Sequence, residues 1–368
     1  MPNKRDATGS AVRGPATVTV AQLSEFDEII DVRSGGEYAD DHVPGAINCP
    51  VLDDAERERV GTIYKRQSSF DAKKIGAALI SANIARHLEG SFLDRPRSWR
   101  PLVYCWRGGG RSGAFAHVLS EVGWRTGQLD GGYKAYRRNV VAQLHVLPHS
   151  LRWRVVCGLT GTGKSRLLRA LRDGGGQVLD LEALAAHRGS VLGNLPDEAQ
   201  PTQKMFESLV WDALGAFDPA RPVYVEAESR KIGELRVPEA LIEAMWRSEC
   251  VLLEAPLEAR VELLKREYAH FLADPGVLAS KLECLTTLHG NAVISRWREL
   301  ALAQRFDELT GELLARHYDP SYTRAIVRHY PALARALKLA LRDTSDSAFD
   351  RLAEQCLRSE RRRAGNGH

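Results

Sequence analysis

Residues 104–112 read Tyr-Cys-Trp-Arg-Gly-Gly-Gly-Arg-Ser, and this stretch decides how the N-terminal part of the chain folds. The apolar residues before it predict a buried strand that delivers Cys105 to a glycine-rich bend, and a helical pattern follows over residues 112–122. Main-chain N–H groups of such a bend can surround an anion, and the positive end of the helix adds to the same field. With Arg107 and Arg111 nearby, the thiolate of Cys105 is favoured over the thiol. The stretch therefore predicts a nucleophilic cysteine, and the alternative is an inert buried cysteine beside an ordinary turn.

The composition is that of a soluble globular protein. The 368 residues are 44% hydrophobic and 27% charged, which is enough for two or three domains with their own cores. No apolar run approaches the roughly 20 residues of a membrane span, and residues 1–10 lack the apolar core of a signal peptide. We therefore expect a cytoplasmic protein without a membrane partner.

Cysteine spacing and net charge exclude further classes. Six cysteines are scattered without a C-x-x-C pair, which argues against a disulfide scaffold and against a zinc site. The net charge of +4 permits an RNA partner but does not require one, because binding depends on charge gathered on one face.

Residues 31–48 carry a longer signature, D-V-R-x-x-x-E-Y-x-x-x-H-V-P-G-A-I-N. It resembles the N-terminal signature of the rhodanese domain, an α/β fold with a central parallel sheet. In that family the active site is a cysteine-led loop after a later strand, where Cys105 falls, and residues 131–136 (G-G-Y-K-A-Y) resemble the closing segment. We interpret the charged residues of the signature as an ion-pair and capping set rather than as catalytic residues: Asp31, Arg33 and Glu37.

The rhodanese-like domain is predicted to span residues 15–144 with a helical insertion at about 53–100. Within the insertion, residues 61–67 are basic and aromatic, and residues 73–88 form an amphipathic helical pattern with Lys73, Lys74 and Arg86 outside. The insertion is either a solvated helical surface or an RNA-facing patch, and the sequence does not distinguish the two.

A second motif lies at residues 158–165, where the chain reads G-x-x-x-x-G-K-S between a predicted strand and a predicted helix. In this context glycines let main-chain N–H groups wrap a phosphate, the lysine neutralises it, and the serine can ligate Mg²⁺. Glu226 or Glu228 ends a later strand where such enzymes place an acid, with Glu in place of the usual Asp, so both are candidate Mg²⁺-associated acids. The predicted phosphate-binding residues are Gly158, Thr160, Gly161, Thr162, Gly163, Lys164 and Ser165.

The alternating pattern continues and predicts an α/β fold for a second domain, residues 151–342. Strands are expected at 177–181, 222–226 and 250–255, with helices at 201–217 and 257–271. From residue 277 to 341 the pattern predicts a helical cap. Residues 343–368 are predicted to be a basic C-terminal tail, mobile from residue 358 onward.

A rhodanese domain fused to a P-loop domain resembles the bacterial tRNA 2-selenouridine synthases. The resemblance covers residues 29–322, and matching strings lie in both domains: Gly61–Lys65, Asp180–Glu182, His187–Ser190, Glu228–Gly233 and Tyr318–Tyr322.

This resemblance implies replacement of sulfur by selenium at the 2-position of the wobble uridine (position 34) of tRNA. The selenium donor would be selenophosphate, and the substrate would be an anticodon loop that already carries 2-thiouridine. An S-geranyl intermediate made with geranyl diphosphate would precede selenium. A selenophosphate synthase is a candidate partner as donor source. No tightly bound cofactor is expected, and use of ATP or GTP, the oligomeric state and the set of tRNAs stay open.

The resemblance also implies roles for residues of the cysteine loop and of the P-loop. Cys105 would receive selenium as an S-selanyl adduct, and Arg107, Arg111 and the amides of residues 108–110 would hold the phosphate end of the donor. The P-loop would hold a diphosphate, although a nucleotide remains an alternative. Trp106 is a candidate for stacking on the base, with core packing as its alternative. The anion loop also includes Gly108, Gly109, Gly110 and Ser112, and candidate diphosphate or tRNA contacts, equally well surface cations, are Arg188, Arg230 and Lys231.

The spacing from Cys105 to Arg111 is C-x5-R, one residue longer than in simple rhodaneses. Rhodanese-fold phosphatases share this length, so the longer loop suggests room for a phosphate-bearing donor. Two other functions therefore stay open: a C-x5-R phosphatase or sulfurtransferase fused to a small-molecule kinase, and a non-catalytic RNA-binding adaptor.

Overall fold

The computed structural model describes residues 14–190, 192–196 and 198–365. These residues form two compact units. The first contains residues 14–143 together with 202–212, and the second contains the described residues of 144–201 and 213–365. No helix among the described residues is long and apolar enough to cross a lipid bilayer.

The strands are β1 (Ala16–Val18), β2 (Glu28–Asp31), β3 (Ile47–Asn48), β4 (Pro101–Tyr104), β5 (Gly127–Leu129), β6 (Arg152–Cys157), β7 (Gln177–Leu179), β8 (Pro222–Glu226), β9 (Lys231–Ile232), β10 (Leu235–Arg236), β11 (Glu249–Glu254) and β12 (Leu337–Ala340). The α-helices are α1 (Gly35–Asp40), α2 (Asp54–Arg66), α3 (Ser69–His87), α4 (Gly110–Val122), α5 (Gly132–Leu144), α6 (Leu147–Ser150), α7 (Lys164–Asp173), α8 (Leu181–Leu184), α9 (Gln203–Gly215), α10 (Glu239–Trp246), α11 (Leu257–Glu267), α12 (Ala269–Ala273), α13 (Pro275–Lys281), α14 (Thr286–His289), α15 (Asn291–Leu302), α16 (Phe306–Leu313), α17 (Asp319–His329) and α18 (Asp346–Gly365). Short 3-10 turns occur at Val20–Glu25, Leu282–Leu285 and Pro331–Arg335, and π-helical segments at Leu88–Phe92 and Leu314–Tyr318.

The first unit is built on a parallel five-stranded sheet in the order β1-β5-β4-β2-β3. Strand β4 is central and buried along its whole length, which is why it reads as a continuous apolar run. Its Val103 pairs with Ile30 of β2, and both side chains enter the same core as Phe115 and Leu119 of α4. The predicted rhodanese-like α/β fold is confirmed.

Two helices fill the predicted insertion. Helix α2 begins at a reciprocal capping box formed by Asp53 and Glu56, and α3 follows almost at once. Lys73, Lys74 and Arg86 are exposed on α3, as its amphipathic pattern predicts. The insertion is therefore an ordered helical hairpin, and its role toward RNA stays a prediction.

Residues 202–212, which include most of α9, pack with the first unit although they follow the P-loop in sequence. Ser208 donates to the buried carboxylate of Asp41 at 2.7 Å, and Tyr133 donates to the same carboxylate at 2.8 Å. Trp211 packs edge-on against Tyr136, with ring centroids 5.6 Å apart. The first unit is thus completed by a distant segment of the chain.

The second unit also contains a parallel five-stranded sheet, in the order β12-β11-β6-β8-β7. The P-loop follows the central strand β6, so the predicted α/β fold of this unit is confirmed. The predicted strands at 222–226 and 250–255 correspond to β8 and β11 within one residue, while that at 177–181 ends earlier, at Leu179.

Two predictions for the C-terminal part are wrong. The cap does not stay helical to residue 341, because Leu337–Ala340 forms β12 and pairs in parallel with β11. The expected basic tail is largely helix α18, whose Phe349, Ala353 and Cys356 recur at helical spacing and join the core under α7. This apolar face packs residues 349–356 into the second unit, whereas the mobility expected from residue 358 onward stays a prediction.

The remaining helices, α11 to α17, form the helical cap of the second unit. Its separate core includes the buried side chains of Phe271, Leu282, Trp297 and Leu309. The helix predicted at 257–271 ends at Glu267, and a break at Tyr268 precedes α12.

Candidate active site

Cys105 lies at the carboxyl end of the central strand β4, where the topology of a parallel sheet places ligand sites. The side chain is only 4% exposed, so the thiol lies beneath the surface of the loop rather than on it. Ser112, in the first turn of α4, donates from Oγ toward Cys105 Sγ at 3.2 Å. The predicted cysteine loop is therefore assembled around one buried sulfur atom.

The pKa of the Cys105 thiol lies below its usual value. Burial acts to raise the pKa, but hydrogen bonds from Ser112 and from the main-chain N–H of Arg107 oppose it, and the charge of Arg111 adds to them. The outcome agrees with the prediction that the thiolate is favoured. Arg107 contributes through its backbone, while its side chain is exposed.

The backbone of the loop is clamped by residues 131–134. The Cys105 carbonyl accepts from Tyr133 N–H at 2.8 Å, and the Trp106 carbonyl accepts from Lys134 N–H at 3.1 Å. Gly132 has φ +56°, and a Cβ there would lie 2.2 Å from the Cys105 carbonyl oxygen. Only glycine fits this close approach.

Gln128, the middle residue of β5, is a site residue that was not predicted from the sequence. Its amide nitrogen donates to the Gly108 carbonyl at 2.7 Å and to Ser112 Oγ at 3.1 Å. Because Ser112 Oγ accepts this bond, its own proton is left for Cys105 Sγ or for the Gly109 carbonyl, each 3.2 Å away. No motif marks a lone glutamine in a strand, so only the folded geometry reveals it.

Arg111 is not free to act alone. Its guanidinium donates to Glu37 at 3.0 Å, and Arg57 of α2 donates to the same carboxylate at 3.1 Å. These three side chains line a cavity of about 520 Å³ together with Trp106. The exposed ring of Trp106 also stacks on Tyr133, with centroids 5.2 Å apart. The cavity offers two guanidinium groups to an anion, although Glu37 competes for them.

The ion pair and the capping contact predicted for the signature residues are confirmed. Arg33 and Asp31 are fully buried and form an ion pair at 2.5 Å. Glu37 forms a capping box with Ser34 at the start of α1. Glu37 differs from the other two in that it also orients Arg111.

In the second unit the P-loop wraps from β6 into α7. Gly161 and Gly163 have φ values of +81° and +85°, and a Cβ at Gly163 would lie 2.5 Å from the ring of Phe349. Lys164 Nζ donates to the Gly158 carbonyl at 2.9 Å and lies 5.1 Å from the ring centroid of Tyr322. The two left-handed glycines give the loop the tight turns that the motif requires, and phosphate binding stays a prediction.

The loop borders a cavity of about 500 Å³ whose lining is rich in charge. Its cations include Lys164, Arg166, Arg169 and Arg188, and the last lies 5.0 Å from the ring centroid of Tyr268. Of the three predicted cationic contacts, Arg188 is at this cavity. The other two are exposed and do not line it: Arg230, which stacks on Trp246, and Lys231.

The acids of this cavity are arranged differently from the prediction. Ser165 Oγ donates to Glu182 at 2.9 Å, and the main-chain N–H of Glu182 donates to Glu226 at 3.0 Å. The second oxygen of Glu226 is buried without a partner among the described residues. Burial raises the pKa of Glu182, Glu226 and Glu228, that of Glu228 to about 8. Glu182, which the sequence marks only as part of the string Asp180–Glu182, is thus the acid next to Ser165.

These acids bear on whether Mg²⁺ could bind. Among the described residues no group of three His, Cys, Asp or Glu side chains is arranged to hold a metal ion by itself. Mg²⁺ keeps few protein ligands and binds together with phosphate oxygens. Ser165 Oγ and the Glu182 carboxylate, 2.9 Å apart, are of the donor type that suits such a site, and Mg²⁺ binding stays a prediction.

Two residues of the helical cap bind the backbone of the P-loop, and neither was given a role from the sequence. Tyr322 accepts from Gly158 N–H at 2.9 Å. Arg260 is buried and donates to the Thr160 carbonyl at 2.9 Å while pairing with Asp319 at 2.6 Å. Tyr322 and Asp319 belong to the quoted string Tyr318–Tyr322, which was the available signal.

Comparison with known proteins agrees with both halves of the molecule. Residues 17–139 match the family model of the rhodanese-like domain, and residues 151–283 match that of the tRNA 2-selenouridine synthase AAA domain. The tRNA 2-selenouridine synthase of Nitrosomonas europaea is 34% identical over 295 residues, which cover 78% of this chain and 75% of the relative. The enzyme of the same name from Aeromonas salmonicida is 29% identical over 371 residues, which cover 93% and 97% of the two chains. The chain therefore belongs to the tRNA 2-selenouridine synthase family.

Proposed function

We propose that this protein modifies tRNA by replacing the sulfur of a wobble 2-thiouridine with selenium, in two chemical steps. The observation that carries the proposal is the buried Cys105, with a lowered pKa, in a glycine-rich loop beside Arg111, in a chain that also bears a P-loop motif. The cysteine suits the selenium step, and the P-loop suits a step in which a diphosphate leaves.

In the first step the sulfur on C2 of the base attacks the first carbon of geranyl diphosphate. A carbon–sulfur bond forms, the carbon–oxygen bond breaks, and the diphosphate leaves with the electron pair while the base loses its N3 proton. Lys164 and the N–H groups of the P-loop stabilise the leaving diphosphate. Mg²⁺ held by Ser165 and Glu182 would supply further positive charge there. The product has a carbon at C2 that is more electrophilic than a thiocarbonyl.

In the second step selenium replaces the geranyl thiolate at C2. Attack of the Cys105 thiolate on the selenium of selenophosphate breaks the Se–P bond, forms the S-selanyl adduct and leaves the electron pair on phosphorus, as phosphite. The terminal selenium attacks C2, and geranyl thiolate leaves. A second thiol then cleaves the S–Se bond, takes the cysteine sulfur into a disulfide and frees the selenated base. Arg111 and the loop amides hold the phosphate end of the donor.

A competing route can be separated by experiment. Attack of Cys105 on phosphorus would give S-phosphocysteine and free selenide. Acid-quenched protein examined by mass spectrometry should show the isotope pattern of selenium on the peptide that carries Cys105. A phosphoryl adduct without selenium would overturn the S-selanyl route.

The whole proposal is tested by nucleoside mass spectrometry. 2-Thiouridine tRNA is incubated with the full chain, geranyl diphosphate, selenophosphate and a thiol, and geranylated and then selenated uridine should form. If neither base appears, the proposed function is wrong. Release of phosphate from an aryl phosphate would instead favour the phosphatase, and tight tRNA binding without any change of its nucleosides would favour the adaptor.

Variants test the division of labour between the two units. Cys105→Ser should stop selenation and spare geranylation, whereas Lys164→Ala should reduce geranylation first. Cys284→Ser, which changes an exposed cysteine, is the matched control and should leave both steps intact. Equal loss of both steps in Cys105→Ser would contradict this assignment.

A further inference from the structure

An apolar slot opens beside the phosphate cavity of the second unit. It is a cavity of about 70 Å³, and its walls come from helices α11, α12, α13 and α16, the π-helical segment that follows α16, and the chain around Leu192. We define the slot by its most buried lining side chains: Leu192, Phe271, Leu278, Leu309, Leu313 and Leu314. None of these six carries a polar group, so the buried end of the slot favours a hydrocarbon part of a ligand.

The slot and the phosphate cavity share one wall. Thr160 of the P-loop, Leu264 of α11 and the tyrosines Tyr268 and Tyr318 line both spaces. A Cβ placed on Gly161 would lie 2.8 Å from Leu264, so the P-loop backbone approaches this wall closely. A molecule with a diphosphate at one end can therefore place its other end in the slot.

The size of the slot limits what it can hold. A water-sized group needs roughly 10–15 Å³ of such space, so 70 Å³ accommodates about five groups of that size. A short branched hydrocarbon such as one isoprene unit is of this order of size. Dry apolar cavities take up apolar ligands readily, because burying each CH₂ improves binding about fourfold.

We propose that the slot binds the distal isoprene unit of a prenyl diphosphate and thereby sets the chain length of the substrate. This inference rests on the proposed function only in that the P-loop holds the diphosphate. The proximal unit would lie at the mouth, between Tyr268 and Tyr318. A five-carbon chain would leave the slot empty, and a fifteen-carbon chain would exceed it.

Binding, rather than catalysis, gives the cleanest test. Calorimetric titration of the full chain with inorganic diphosphate, dimethylallyl, geranyl and farnesyl diphosphate and ADP measures the contribution of the hydrocarbon separately from that of the phosphates. Geranyl diphosphate should bind about tenfold or more tightly than dimethylallyl diphosphate. Farnesyl diphosphate should gain nothing further.

Two variants change the slot in opposite directions. Leu313→Trp fills it and should remove the advantage of geranyl over dimethylallyl while inorganic diphosphate binds as before. Leu278→Ala enlarges it and should improve farnesyl binding relative to geranyl. Leu300→Ala is the matched control, because Leu300 is buried in the same cap core but does not line the slot. It should keep the wild-type chain-length preference.

The outcomes separate this inference from the proposed function. If geranyl diphosphate binds no better than inorganic diphosphate, or if Leu278→Ala and Leu313→Trp both keep the wild-type preference, the slot is not the prenyl site. If ADP binds more tightly than geranyl diphosphate, the P-loop serves a nucleotide and the slot assignment falls. If inorganic diphosphate itself does not bind, the phosphate-site part of the proposed function is refuted and the slot assignment with it.

Discussion

Replacement of Ser112 by alanine tests the activation of Cys105 most directly. The hydroxyl lies 3.2 Å from Cys105 Sγ, and Ser112 is fully buried, so water does not replace the lost donor. A hydrogen bond to a charged acceptor contributes about 1.5–3 kcal/mol. The Gly109 carbonyl competes for the same proton at 3.2 Å, which favours the lower end of that range. Since about 1.4 kcal/mol corresponds to one pKa unit, Ser112→Ala should raise the pKa of Cys105 by about one unit.

The assay is the pH dependence of alkylation of Cys105 by iodoacetamide, followed by peptide mass spectrometry. The wild-type rate should reach half its maximum below the ordinary cysteine pKa, which is about 8.5. The Ser112→Ala profile should move upward and react about tenfold more slowly at pH values below both midpoints. Ser120→Ala is the control, because Ser120 is buried on the same helix but donates to the Ala116 carbonyl. An unchanged or lowered midpoint in Ser112→Ala would refute the argument.

Three further predictions concern the two loops. Gly132→Ala should lower the free energy of unfolding by about 2 kcal/mol or more, because a left-handed φ and a contact of 2.2 Å act together. Gly123→Ala is the control, because Gly123 has φ +109° but open space around it, and it should lower the free energy of unfolding by less in the same denaturant titration. Equal losses in the two variants would contradict the role of the contact. Tyr322→Phe removes the acceptor for Gly158 N–H and should weaken diphosphate binding, measured by calorimetry, about threefold to tenfold. Tyr330→Phe is the control and should not weaken it, because the Tyr330 hydroxyl has no partner among the described residues. No difference between the two variants would argue against a role of the Gly158–Tyr322 hydrogen bond. The pKa of Glu228 rises from 4.5 to about 8 on folding, so between these pH values the folded state binds more protons than the unfolded chain. The free energy of unfolding should therefore fall as the pH rises, by less than about 1.4 kcal/mol per pH unit for this group. Glu228→Gln should flatten the fall of melting temperature with pH, and an unaltered slope would contradict this prediction.

Much of the fold can be predicted from the sequence because its signals are local. A buried parallel strand is apolar on both faces, as β4 is along its whole length and β6 is over residues 155–157, so each could be placed before its loop. Strand β12 could not be predicted in this way. Its residues Leu337–Ala340 include Lys338 and follow a long helical stretch, and they become a strand only because β11 offers an edge in parallel register.

The site shows the same division. Cys105 and the P-loop lie in contiguous motifs, so their chemistry could be predicted from spacing. Gln128, Glu182 and Arg260 act through contacts with residues 16, 17 and 100 positions away, respectively, and their neighbours in sequence say nothing about those partners. Which of Glu182, Glu226 and Glu228 faces Ser165 depends on how β7 and β8 lie side by side, and that order appears only in the folded sheet.

The contribution of residues 202–212 to the first unit has a consequence for how the protein is made. Asp41 can form its hydrogen bond with Ser208 only after Ser208 has been synthesised, 167 residues later. At about 5–20 residues per second the ribosome needs on the order of ten seconds or more to add those residues. During that interval the nascent first unit exposes the surface that Trp211 will cover, so a chaperone would find its target there. The P-loop is completed later still, because Phe349, whose ring lies against Gly163, belongs to helix α18 and is synthesised well after Ser208. A chain that stalls late in translation would therefore carry a finished cysteine loop and an unsupported phosphate loop.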